Sequence, residues 1–125
     1  MNLDYFVSNN EKISTFAKEQ YECSKSNSKL DKQYNRINGR IIEADDYNEL
    51  KSMYEIKELD HKTGLKELKM DSIRVIHFLY LDSIFVFLGT FIKKTKKTPQ
   101  NIIDKNNKRI REYLKQRRIE ENNDD

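Results

Sequence analysis

The side chains of this protein best equipped for chemistry are its lysines and arginines, and they are unevenly placed. Between Lys93 and Arg118 lie eleven Lys/Arg against Asp104 and Glu112, a local +9, so the rest of a chain of net charge +3 sums to −6. Gathering one sign of charge costs self-repulsion, which is offset when the basic end meets a polyanion, with screening by salt as the signature. A solvated helix face is the competing reading. His61 and His77 are the obvious acid–base candidates, because only histidine titrates near neutrality unperturbed. His61 sits in the turn-like His61-Lys62-Thr63-Gly64, and His77 falls in an apolar run in opposite strand phase to Arg74, so neither is placed to serve. Cys23 reads as a small buried or half-buried residue rather than a nucleophile. No Cys-x-x-Cys, His-Glu-x-x-His, Gly-x-Gly-x-x-Gly, phosphate loop or Gly-x-Ser-x-Gly occurs, so zinc, dinucleotide, nucleotide and serine-hydrolase chemistries lack their parts. Asp45-Asp46 and Glu120-Glu121 are not spaced as a metal cage, and neither metal nor cofactor is expected.

A length of 125 residues predicts one compact domain, residues 1–125. With 36% charged residues, three glycines, one proline and no tryptophan, the composition is that of a helix-rich globular chain. One cysteine makes no internal disulfide, and the first residues lack a signal peptide's basic start and apolar core, which predicts a cytoplasmic protein. A strand is expected over Leu3–Val7, then a helix opened by a Ser8/Glu11 capping box with Ile13, Phe16, Ala17, Gln20 and Tyr21 on one face. Leu30, Tyr34, Ile37, Ile41 and Ala44 predict a second helix that packs on the first as a hairpin. Further helical turns over Asp46–Met53 precede a strand over Tyr54–Leu59. Three runs of β character follow: Leu65–Lys69, Ile73–Leu81 and Ile84–Ile92, whose short connections predict antiparallel neighbours. Thr98-Pro99 supplies a capping hydroxyl and a first-turn proline for a last helix carrying Ile103, Ile110 and Leu114, and residues 119–125 are expected to fray.

The stretch Ile73–Ile92 also has the length of a membrane span with a basic flank. Asp82 would lie mid-bilayer at a cost of about 2.5–3.5 kcal/mol, whereas a hairpin with Asp82-Ser83 at its turn leaves it in water. The hairpin is the expectation.

From Gly64 onward, about half of the chain, the sequence resembles the HigB-like, phage-associated branch of the RelE/ParE toxin superfamily. The resemblance rests on Phe91-Ile92-Lys93-Lys94-Thr95-Lys96-Lys97-Thr98-Pro99, the basic helix ending Lys108-Arg109-Ile110-Arg111-Glu112-Tyr113-Leu114, the segment Leu65-Lys66-Glu67-Leu68, and Arg74 ahead of an apolar strand. The N-terminal half matches by element order alone. The resemblance implies an α+β fold in which two helices lie on an antiparallel sheet, with a C-terminal helix and a catalytic surface on the sheet's open side. It implies a toxin that cleaves messenger RNA at the ribosome and is silenced by a cognate antitoxin of the HigA-like helix-turn-helix kind.

Metal-free RNA cleavage needs the ribose 2′-hydroxyl oriented onto the adjacent phosphate, the added negative charge stabilised and the leaving oxygen protonated. Arg74 matches the superfamily's strand arginine, and its planar fork suits two phosphate oxygens; an ordinary ion pair with Glu67 or Asp71 is the alternative. Lys93 and Lys94 are expected on opposite faces, so at most one of them should point into the site while the other meets solvent or RNA backbone. Lys93 is favoured by its phase with Phe85, Phe87 and Phe91, unless a bulge at Gly89 exchanges the two. Lys69 is expected to join Arg74 on the phosphate. Lys94, Lys96 and Lys97 are expected to contact RNA backbone, and Tyr80 to stack on a base, with a core role as its alternative. Two rivals stay open: a non-catalytic nucleic-acid binder, and a gyrase poison of the ParE kind on the same architecture.

Overall fold

A computed structural model of the protein describes residues 1–123. Its elements run β1 (Asn2–Tyr5), α1 (Thr15–Ser24), α2 (Ser28–Glu43), α3 (Tyr47–Met53), β2 (Glu55–Asp60), β3 (Leu65–Met70), β4 (Ile73–Tyr80), β5 (Ile84–Ile92) and α4 (Gln100–Asn123). The strands form one sheet in the order β1-β5-β4-β3-β2, antiparallel except where β1 lies parallel to β5. This is the expected α+β class. The stretch weighed as a membrane span is the β4–β5 hairpin, and among the described residues no helix is long and apolar enough to cross a membrane.

The helix pair forms because neighbouring side chains satisfy its first amides and its apolar stripe is buried. The Asn27 side chain accepts from the Lys29 and Leu30 N–H groups at 3.1 Å, and Tyr34, Ile37 and Ile41 then face inward at helical spacing. The first helix starts later than the capping box predicts. Ser8 and Glu11 instead close a backbone turn, and Ser14 caps α1 by accepting the Ala17 N–H at 3.1 Å. Its start is set by docking: the Thr15 N–H donates to the Phe6 carbonyl, and Phe16 enters the core. Tyr21 and Ile13, expected on the buried face, are 64% and 57% exposed. The reason is that β1 pairs only with Ile84–Phe87, and α1 covers the edge of β5 beyond it: the Thr15 hydroxyl donates to the Leu88 carbonyl and Glu19 accepts the Thr90 N–H.

Two apolar clusters sit on the two faces of the sheet. Phe16, Tyr34, Ile37, Ile41 and Leu50 meet Leu68, Ile73, Val75, Phe85 and Phe87 on one side. On the other, Ile76, Phe78, Tyr80, Val86 and Leu88 meet Ile110 and Tyr113 of α4. The sheet face expected to be open is therefore largely roofed by α4. Its alternating large residues need that cover, and Tyr113 supplies it in place of Leu114, which is 38% exposed. The helix continues through Asn123 where fraying was expected; the last two residues of that expected tail lie outside the described residues.

The β4–β5 ladder contains one irregularity. Ile76 pairs with Gly89 and His77 with Phe87, so Leu88 is an extra residue and the strand changes phase there. Phe85 and Phe87 face the helix pair, while Phe91 pairs with Arg74 on the α4 side. The shared phase of Phe85, Phe87 and Phe91 expected from an unbroken strand is thus lost.

Candidate functional site

The bulge decides which lysine reaches Arg74. In an unbroken ladder Thr90, Ile92 and Lys94 would take the Arg74 face; with Leu88 looped out, Phe91 and Lys93 do. The Lys93 N–H extends the pairing by donating to the Ser72 carbonyl at 2.8 Å. Lys69 pairs directly with Arg74 across β3 and β4, and Glu67 with Ile76 one step along, so Lys69, Arg74, Lys93 and Glu67 share one face at one end of the sheet. Lys94 turns to the other side, where it lines a groove with Cys23, Leu30, Gln33 and Asp71. Lys96 and Lys97 are exposed on the loop between β5 and α4.

Within this cluster the cations differ in their partners. Lys69 donates to Glu55 at 3.1 Å, and that hydrogen bond and charge hold the Glu55 carboxyl below the usual carboxylate range. Lys93 lies 3.9 Å from Glu67 with its side chain 9% exposed. Arg74 forms neither of the ion pairs considered for it: one terminal nitrogen donates to the Asp71 carbonyl at 2.7 Å and the Ile73 carbonyl at 3.1 Å, and its Nε is buried without a partner. Its backbone is held from beneath, since the Tyr34 hydroxyl donates to Thr90 Oγ1 and the Thr90 hydroxyl donates to the Arg74 carbonyl, each at 2.7 Å. Among the described residues no carboxylate forms an ion pair with Arg74, which stands on a strand fixed by α2.

The sequence pattern did not single out Glu67 and Thr98 as working parts of this cluster. Glu67 is fully buried, and its Oε2 accepts the Thr98 hydroxyl at 2.6 Å. That hydroxyl was expected to cap α4. The signal for Glu67 was its place in β3, where Leu65, Glu67 and Lys69 alternate toward an apolar face, so that a carboxylate there needs a donor.

Tyr80 takes the core place that was the alternative to stacking on a base. It is only 9% exposed, its ring faces Tyr113 edge-on at 5.5 Å and Arg117 at 5.0 Å, and its hydroxyl donates to Glu121, so α4 occupies the surface a base would need. His77 lies on the face away from Arg74, as its phase predicts. It stacks on Phe85, its Nδ1–H donates to the Val75 carbonyl, and its Nε2 accepts the Tyr47 hydroxyl; burial drives its pKa down to about 3, so it is neutral. His61 is exposed in its turn beside Glu58. Among the described residues no group of three His, Cys, Asp or Glu converges as a metal site. What the cluster offers is positive charge on a rigid sheet end, able to grip phosphate oxygens and stabilise charge that develops on them.

Residues 28–111 match the family model described as phage derived protein Gp49-like (DUF891). The chain belongs to the Gp49-like family. This RelE/toxin-like, phage-derived family reaches back to the start of α2, further than the resemblance from Gly64 onward, and leaves β1, α1 and the last turns of α4 outside the match. Every basic residue of the Gp49-like cluster lies within it, as do Glu67 and Thr98. No curated protein matches the chain.

Proposed function

We propose that this Gp49-like protein is the toxin of a toxin–antitoxin pair of the HigB kind, an endoribonuclease that cleaves messenger RNA on the ribosome by attack of the 2′-hydroxyl on the adjacent phosphate. The observation that carries the reading is the convergence of Lys69, Arg74 and Lys93 on one face, with the Arg74 guanidinium in no ion pair among the described residues and its strand fixed. In this reading Arg74 and Lys93 hold the phosphate and stabilise the extra charge of attack, and Lys69 shares the phosphate with Arg74. Lys94, Lys96 and Lys97 bind backbone phosphates on either side. The reading requires no cofactor. Its partners are a ribosome-bound transcript and a cognate HigA-like helix-turn-helix antitoxin in the cytoplasm.

The test is induced expression of wild type and Arg74→Ala in bacteria, with transcript 5′ ends mapped in the first minutes. New ends inside translated frames with wild type alone support the reading. Growth arrest without new ends points to gyrase poisoning instead, and full cleavage by folded Arg74→Ala removes Arg74 from the chemistry.

A further inference from the structure

Glu67 occupies a place that neither sheet stability nor solubility accounts for. A carboxylate with zero exposure lies among Ile76, Leu65 and the α4 roof, where an ionised group is costly unless paired and hydrogen-bonded. One oxygen takes the Thr98 hydroxyl; the other has no hydrogen-bond partner, and a cation, Lys93, stands 3.9 Å from it. Lys93 and Thr98 are the two ends of one loop, Lys93-Lys94-Thr95-Lys96-Lys97-Thr98, and the loop's middle is closed on itself by the Thr95 hydroxyl donating to the Lys97 carbonyl at 2.8 Å. A single buried carboxylate therefore touches both ends of the segment that carries the exposed lysines.

We propose that Glu67 is the positioning residue of this site: it clasps the two ends of the 93–98 loop and holds the Lys93 ammonium inward, on the Arg74 face, within reach of a phosphate. The role rests on the ribonuclease reading for its catalytic consequence, though the clasp itself does not. The geometry suits a loose hold. At 3.9 Å the ammonium is drawn by charge without a hydrogen bond to anchor it, so it can turn toward a phosphate while Thr98 keeps the carboxylate in place. Glu67 touches no substrate and acts through Lys93.

Two readouts on the purified full-length chain test this. The first is independent of activity: brief labelling with a limiting amine-acylating reagent, read lysine by lysine by mass spectrometry. Lys93 should label about tenfold more slowly than Lys96 and Lys97 in the wild type, and approach their rate in Glu67→Gln, which keeps the volume and an acceptor for Thr98 but removes the charge. The second pairs binding of a non-cleavable 2′-methoxy RNA with single-turnover cleavage of the matching RNA on ribosomes. Glu67→Gln should bind within about twofold of wild type yet cleave at least about tenfold more slowly, because the loss is one of placement rather than of attraction. Unchanged Lys93 labelling in folded Glu67→Gln overturns the clasp, and so does parallel loss of binding and cleavage. If the wild type cuts no RNA the ribonuclease reading fails, while the labelling result still decides the clasp. Should Glu67→Gln fail to fold, Thr98→Val tests the other end: tryptic cutting after Lys96 and Lys97 should accelerate about fivefold, and an unchanged rate overturns the proposal.

Discussion

Gly89 shows how a single hydrogen in place of a side chain lets the fold close. A Cβ at this position would lie 2.5 Å from Glu19 Oε1, 2.6 Å from Arg109 Nη1 and 2.9 Å from Asn106 Oδ1. These groups have little freedom to retreat, because Arg109 donates to Glu19 at 2.7 Å and to the Leu88 carbonyl at 3.0 Å, joining α4, α1 and β5. Burial pushes the Glu19 carboxyl up, but the hydrogen bonds and charges of Arg109 and Lys105 outweigh it and hold it below the usual range. Gly89→Ala should therefore destabilise the protein by about 1–3 kcal/mol, read as a lower urea midpoint at unchanged slope; a more stable Gly89→Ala would mean that the ion pair shifts aside freely. At the same scale Arg74 was legible from the sequence as a strand arginine facing apolar neighbours. Glu67 was visible only as a residue Arg74 could pair with, because its true partners, Lys93 and Thr98, are 26 and 31 positions away along the chain.

Among the elements, α2 was readable because Leu30, Tyr34, Ile37 and Ile41 keep one helical period, and β4 and β5 because their apolar runs are bounded by turn residues. Element order, by contrast, carries no record of where a period slips. The Leu88 bulge is one extra residue in an apolar run with nothing to mark it, yet it exchanges Lys94 for Lys93 beside Arg74. The entry to α1 departs from its sequence pattern for a similar reason: the spacing of Ser8 and Glu11 suits a cap, but docking of Thr15 and Phe16 against β5 places the start at Ser14. The turn of the β4–β5 hairpin also carries strain. Leu81 adopts φ 53° and Asp82 φ 59°, and Leu81 is 71% exposed, so a bulky side chain holds a left-handed conformation without burial in return. Leu81→Asn should raise stability by about 0.5–1 kcal/mol, since asparagine tolerates this region; thermal unfolding measures it, and a fall in midpoint would show that Leu81 makes contacts worth more than its strain.

For the whole molecule, α4 ties the surface together. It roofs one face of the sheet and reaches back to β1 through the Tyr113 hydroxyl, which donates to Asp4 at 2.6 Å. The resemblance placed this helix correctly in sequence but not on the face it covers, since a long charged helix with few apolar positions gives little sign of its docking side. The opposite face predicts the pH response. His77 titrates near 6.5 in an unfolded chain but near 3 when buried, so the unfolded state binds the extra proton as pH falls. Its contribution to stability is fully present above pH 6.5 and declines by about 1.4 kcal/mol per pH unit below it, down toward pH 3. Chemical denaturation at stepped pH should show this slope in wild type and a shallower one in His77→Gln; identical slopes would locate the acid sensitivity elsewhere.

In the proposed reaction Lys69, Arg74 and Lys93, on one sheet face, assist attack of the RNA's own 2′-hydroxyl on the adjacent phosphate. The measurement that tests it most directly is the chemistry of the cut ends, made with purified wild type and Arg74→Ala on a defined transcript bound to ribosomes. The expected products are 5′-hydroxyl ends and 2′,3′-cyclic phosphates, or the 3′-phosphates that follow from them, with Arg74→Ala at least about a hundredfold slower. Ends bearing 5′-phosphate and 3′-hydroxyl, or cleavage undiminished in folded Arg74→Ala, would contradict it.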